Sequence, residues 1–170
     1  MLTFKDHELG HTADAVQVTT RAANRRAVTS MAQQCRQHLV IISRDLDPPL
    51  YDTVEFIEAS KKMVLANRRA SIRILVFEPQ AIIQRGHRLV NLAMQLSSFF
   101  EFRAVGPEYK DFNEALFIAD ATGYLHRLNS ERYEGTVNFN DHRISNYLLQ
   151  QFEEIWEKAS PDMNLKKLHL

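Results

Sequence analysis

The stretch His38-Leu-Val-Ile-Ile-Ser43 is apolar at every interior position, and Ser71-Ile-Arg-Ile-Leu-Val-Phe77 is nearly so. A strand with one wet face alternates apolar and polar residues. A run without alternation reads as a strand buried on both faces, which requires cover above and below the sheet. The connection between the two runs supplies such cover. Pro48 and Pro49 stop the first strand and favour a helix start. Leu50 to Asn67 then reads as a helix, with Val54, Ile57, Val64 and Leu65 inward and Lys61 and Lys62 outward.

The rhythm extends in both directions. From about Thr19 to Gln37, apolar residues recur at Val28, Met31, Ala32, Cys35 and Leu39, with arginines on the other side. That spacing predicts a helix. After Phe77, a second helix is expected through Leu89, Val90, Ala93 and Leu96, with Gly86 at its start or in a kink. Phe99 to Val105 is a third strand, closed by Gly106-Pro107. Beyond it the connections shorten. Ala115–Ala119, Tyr124–Leu128 and Thr136–Phe139 read as antiparallel strands, because short links cannot make parallel crossovers. Asp141 caps a last helix to about Ser160, with a stripe of Ile144, Leu148, Phe152, Ile155, Trp156 and Ala159.

The expected fold is therefore α/β, a mixed and mainly parallel sheet with helices on both faces. Residues 19–160 form the single domain, 1–18 are expected to be a loose segment and 161–170 a tail. The chain has 170 residues with 45% apolar content, enough for one domain with a real core. A lone cysteine, Cys35, excludes an intrachain disulfide and reads as a core thiol. No apolar run approaches the roughly 18 residues of a membrane span, and the first residues lack a leader pattern. The expectation is a cytoplasmic chain with no membrane contact, no cofactor and no metal site.

Formal net charge is zero, so no global attraction to nucleic acid is expected. The charge is uneven, however. No acid occurs between Asp14 and Asp45, where five arginines do, whereas Glu101 to Ser160 holds eleven acids against six Lys and Arg. One reading is complementary faces of a domain or dimer. The other is a basic patch that binds a phosphate-containing ligand through the first helix and the arginines near His87.

The element order and the terminal helix FEEIWEKA resemble one half of the phospholipase D superfamily over residues 36 to 160. That family carries His-x-Lys, four residues, Asp, and further on Gly-Ser-x-Asn. Its histidine is the nucleophile on phosphorus, its lysine holds the phosphate and its aspartate orients the histidine. Laid on Asp120, the pattern puts Asn113 in the place of the histidine and Ala115 in that of the lysine. Arg127, Leu128 and Ser130 stand for Gly, Ser and Asn. An amide cannot form a phospho-enzyme and a methyl group cannot hold a phosphate. The resemblance thus implies the fold without the reaction, and a non-catalytic interaction or regulatory module. It also implies a homodimer, since such halves pair face to face. Stretches such as SRDLDPPLYD and RYEGTV resemble an uncharacterised bacterial domain often found after an acetyltransferase domain.

Open α/β sheets bind ligands at the carboxyl ends of their strands. The candidate ligand-binding residues are Asp45, His87, Arg88, Asn113, Asp120 and Arg127. Asp45, Asp47 and Glu78 with Ser43 and Asn113 could hold a hard cation, or form an ordinary polar rim. His87, beside Arg85 and Arg88, could bind an anion at a helix start, or cap that helix. Asp120 could be a relic of the motif or a turn residue.

Overall fold

The computed structural model describes residues 2–161, which form one eight-stranded mixed sheet with helices on both faces. Its strands are β1 (Val16–Val18), β2 (His38–Ser43), β3 (Ser71–Val76), β4 (Phe100–Ala104), β5 (Ala115–Ala119), β6 (Gly123–Arg127), β7 (Gly135–Asn138) and β8 (Ser160–Pro161). Their spatial order is β1-β7-β6-β5-β2-β3-β4-β8. The helices are α1 (Arg21–Gln34), α2 (Pro48–Tyr51), α3 (Val54–Ala66), α4 (Pro79–Arg85), α5 (Arg88–Gln95) and α6 (His142–Lys158).

The central strand is apolar throughout because both of its faces are covered. Leu39 and Ile41 enter the larger core beneath α1, α3 and α5, while Val40 and Ile42 enter a second core under α6. On that second face Leu148, Phe152, Ile155 and Trp156 of α6 pack on β2, β5 and β6. Arg73 of β3 also points there. Its guanidinium lies 5.0 Å from the Phe152 ring and pairs with Glu153. An arginine inside an apolar run is thereby accommodated without breaking the strand.

A mainly parallel sheet was expected, and the balance is different. Only β2–β3 and β3–β4 pair parallel, while β1–β7, β7–β6, β6–β5, β5–β2 and β4–β8 are antiparallel. Parallel neighbours need a long crossover, and of the helical connections only the two within Ser43–Phe100 join strands that lie side by side. β5 then enters beside β2 in the reverse sense, and short links carry the chain outward.

Of the segment 1–18, expected to be loose, the described residues 2–18 contribute to the domain. β1 pairs with β7 in the register Val16↔Val137. Phe4 is buried and its ring stacks 5.7 Å from that of Phe139. A three-residue strand and an isolated aromatic have no period of their own, so their partners define them. Of the expected tail 161–170, only Pro161 lies among the described residues.

The helix expected over 50–67 is broken in two. Asp52 and Thr53 separate α2 from α3, where the Thr53 hydroxyl caps the new helix by accepting from Phe56 N at 3.1 Å. Starting at Val54 shifts the buried face to Phe56, Ala59, Ser60, Met63 and Val64. Val54 and Leu65, expected inward, are therefore exposed. Gly86 stands, as expected, just before the start of a helix: at φ 80° it ends α4, and His87 caps α5. A φ of that sign suits glycine, which has no Cβ to clash.

Candidate functional site

The polar cluster at the carboxyl end of β2 gathers residues from four parts of the chain. Asp47, in the loop before α2, accepts from Arg127 Nη1 at 3.3 Å and from the Tyr133 hydroxyl at 3.1 Å. Arg127 ends β6, where its side chain turns toward α2. Its Nη2 donates to the Ser130 main-chain oxygen at 2.9 Å, and its guanidinium lies over the Tyr133 ring at 5.0 Å. Only 3% of Arg127 is exposed, so this cation is held by protein groups rather than by water. Burial and the Asp47 carboxylate raise the pKa of Tyr133, so it stays a hydrogen-bond donor.

Asn113 borders this cluster. Its Oδ1 accepts from Arg44 Nε at 3.0 Å and from Ser130 Oγ at 2.8 Å, and its Nδ2 donates to Asn129 at 3.1 Å. Arg44 also stacks over the Phe77 ring at 4.7 Å. Every polar atom of the Asn113 amide is thus engaged within the chain. The space left between Ser43, Asp47, Tyr51, Ala115 and Arg127 is about 10 Å³. That is about the size of one water molecule and too small for a phosphate.

Asp120 belongs to a different place. Seven residues of extended chain separate it from Asn113, about 23 Å at about 3.3 Å per residue. Its carboxylate accepts from the backbone N–H groups of Arg36, Gln37 and His38 at 2.8, 2.8 and 2.9 Å. Asp120 and Ala121 both have positive φ, 55° and 52°, in the turn between β5 and β6. Asp tolerates that region better than most residues. The residue therefore closes a hairpin and ties it to the start of β2. Cys35 Sγ lies 3.4 Å from the same carboxylate, and burial, then that charge, pushes the thiol pKa far up. The thiol stays protonated and inert.

Asp45, His87 and Arg88 come together around the loop before α2, each in a local bond. Arg85 pairs with Asp45 at 3.5 Å, and Arg88 with Asp52 at 3.6 Å. His87 Nδ1 accepts from Leu89 N at 3.1 Å, so Nε2 carries the hydrogen and donates to Leu46 O at 2.8 Å. The imidazole is a neutral cap that joins α5 to the loop. The three acids considered for a cation are parted: Asp45 faces Arg85 and Asp47 faces Arg127. Asn129 and Tyr133 complete the cluster without having been singled out in the sequence. Asp47 and Arg127 are 80 residues apart, and only the hairpin register brings them together.

This sheet, with its parallel β2-β3-β4 half and its antiparallel β5-β6-β7 half, defines a phospholipase D-like fold. Known structures agree. Nuc from Salmonella typhimurium, a phospholipase D family member, matches with a TM-score of 0.58 at 12% identity, covering 88% of this chain and 99% of its own. NucT from Helicobacter pylori matches with a TM-score of 0.58 at 14% identity and the same coverage. TrmBL2, an archaeal chromatin protein with a novel mode of DNA binding, matches with a TM-score of 0.64 at 17% identity. The match covers 87% of this chain and 53% of TrmBL2, so the chain spans about half of that protein. No curated protein matches the sequence. The chain belongs to the family described as a domain of unknown function, DUF7931, whose model matches residues 20–168. Among the described residues no helix is long and apolar enough to cross a membrane.

Two outcomes follow from this geometry. Replacing Asp47 by Ala leaves Arg127 buried and unpaired, at an expected cost of about 3 kcal/mol. The double change Asp47→Ala with Arg127→Met should cost less than Asp47→Ala alone, as read by urea unfolding. His87 supplies a pH dependence. Burial, the largest influence, lowers its pKa in the fold, and Arg85 adds to this, while the Leu46 carbonyl, Asp52 and Asp45 oppose it. The unfolded imidazole titrates near about 6.5. Protonation then favours the unfolded chain, so this contribution is complete above that value and is lost as pH falls below it. His87→Asn keeps a cap without the titration, and its unfolding free energy should vary less between about pH 7 and pH 5.

Proposed function

We propose that this chain is a non-catalytic phospholipase D-like domain that serves as an interaction or regulatory module. The observation that carries this is the burial of Arg127 against Asp47. By the alignment on Asp120, Arg127 stands where the superfamily has glycine, and its side chain occupies the volume that a glycine leaves open. Asn113 and Ala115 stand where the reacting histidine and the phosphate-holding lysine belong. An amide has no basic nitrogen lone pair to attack phosphorus, and Ala115 carries no charge. Loss of the groups and loss of the space support the same reading. The aspartate of the motif, Asp120, is engaged in backbone hydrogen bonds at the other end of β5, and needs no reaction to explain it.

A homodimer extends this proposal. Leu128, 76% exposed, follows Arg127 at the end of the sheet where the cluster lies. An apolar side chain so exposed beside a closed cleft suits contact with a second copy. Sedimentation equilibrium should find a dimer at micromolar concentration that Leu128→Glu weakens. A monomer for both would remove this part of the proposal.

The expected activity is none. Incubation with bis(p-nitrophenyl) phosphate should release no nitrophenolate above the buffer rate across neutral pH. The double variant Asn113→His with Ala115→Lys should also stay inactive while Arg127 fills the cleft. Turnover by the unaltered chain that disappears in His87→Ala would reverse the reading in favour of a phosphodiesterase with a rebuilt site.

A further inference from the structure

A separate cleft of about 630 Å³ lies between α1, the N-terminal segment and the start of α3. It shares no lining residue with the Arg127 cluster. Lys5, Arg25 and Arg26 bring three positive charges to its wall, and Glu55 brings one negative charge. Ser30 and Thr53 add hydroxyls.

Elsewhere in the fold, Arg73, Arg85, Arg88, Arg103, Arg127 and Arg132 each lie within 4 Å of a carboxylate. Among the described residues, Lys5, Arg25 and Arg26 of this cleft, like Arg21, Arg36, Arg44, Arg68, Arg69 and Arg143, have no such partner. Among the described residues, the one hydrogen bond of the Arg26 side chain is a long one, Nη1 to the Leu2 carbonyl at 3.5 Å. Arg25 and Arg26 are both half-buried. Partly desolvated cations that repel one another are stabilised by an anion between them. Guanidinium groups bind phosphate oxygens bidentately, and the first turn of α3 adds its positive end to the same cleft.

We propose that this cleft binds a phosphate-bearing small molecule, with Arg25 and Arg26 as its anchors. Its volume falls within the range of about 300–1,000 Å³ typical of small-ligand sites. A formal net charge of zero supplies no global attraction to a nucleic-acid backbone, so the local cleft carries the affinity. Lys5 tops up the charge from the rim, and Glu55 limits affinity by repulsion. The arginines near His87, by contrast, are taken up by Asp45 and Asp52. The site does not depend on whether the Arg127 cluster is catalytic, so the two proposals stand or fall separately.

Calorimetric titration of the full chain with pyrophosphate at about 20 mM salt tests the site. The expected result is saturable binding at one site that weakens steeply as salt rises. Arg25→Ala with Arg26→Ala should weaken it about tenfold or more, at unchanged circular dichroism and unfolding midpoint. Glu55→Gln should tighten it about threefold, which a merely structural role would not produce. Lys61→Ala with Lys62→Ala, on the outer face of α3, should leave it unchanged. Absence of binding at low salt, or equal affinity in the double arginine variant, overturns the proposal. Binding of a single-stranded oligonucleotide that excess pyrophosphate does not displace overturns it in favour of a nucleic-acid surface.

Discussion

β2 is the strand on which the two halves of the sheet depend, because its edges make opposite demands. One edge pairs parallel with β3 and the other antiparallel with β5. Its faces feed two separate cores, Leu39 and Ile41 on one side and Val40 and Ile42 on the other. No substitution there could be neutral to both layers. The change of direction also decides where a crevice forms. Chains leaving β2 and arriving at β5 part at the carboxyl end of β2, which is where open α/β sheets place their ligands.

In this protein that crevice is filled by its own side chains. Asp47 accepts from both Arg127 and Tyr133 there, and Asn113 joins them through Ser130. A buried ion pair is weak evidence for stability, since desolvation offsets much of its Coulomb gain. Its value lies in position. It fixes the loop before α2 onto the end of β6 and pins the β6–β7 connection through Ser130 and Tyr133. The same loop is held from its other side by His87 through Leu46. Asp45, His87 and Arg127, read in sequence as binding residues, each hold this one loop in place.

Much of the architecture was legible in periodicity. The runs in β2 and β3, the α6 stripe and the Asp141 cap each carry a local signal strong enough to survive their context. The Asp141 carboxylate does accept from Ile144 N at 3.0 Å. The phospholipase D-like order of elements was legible for the same reason. β1 and Phe4 were not, since three residues and one aromatic have no pattern without β7 and Phe139 beside them. The helix break at Thr53 rests on a single hydroxyl, which sequence cannot tell from a threonine inside a helix. Among site residues, Asn113 and Arg127 were found by counting from Asp120. The count could not show that Asp120 itself lies at the far end of the strand, nor that Asp47 meets Arg127 across 80 residues.

Asp120 has a consequence for how such chains are sorted. Its carboxylate replaces a missing turn of hydrogen bonding at the start of β2, taking three consecutive backbone donors at once. That task is set by the geometry of a hairpin meeting a neighbouring strand, and a chain needs it whether or not anything reacts at the opposite end. An aspartate at this position therefore reports the turn it closes, and by itself says nothing about a reaction.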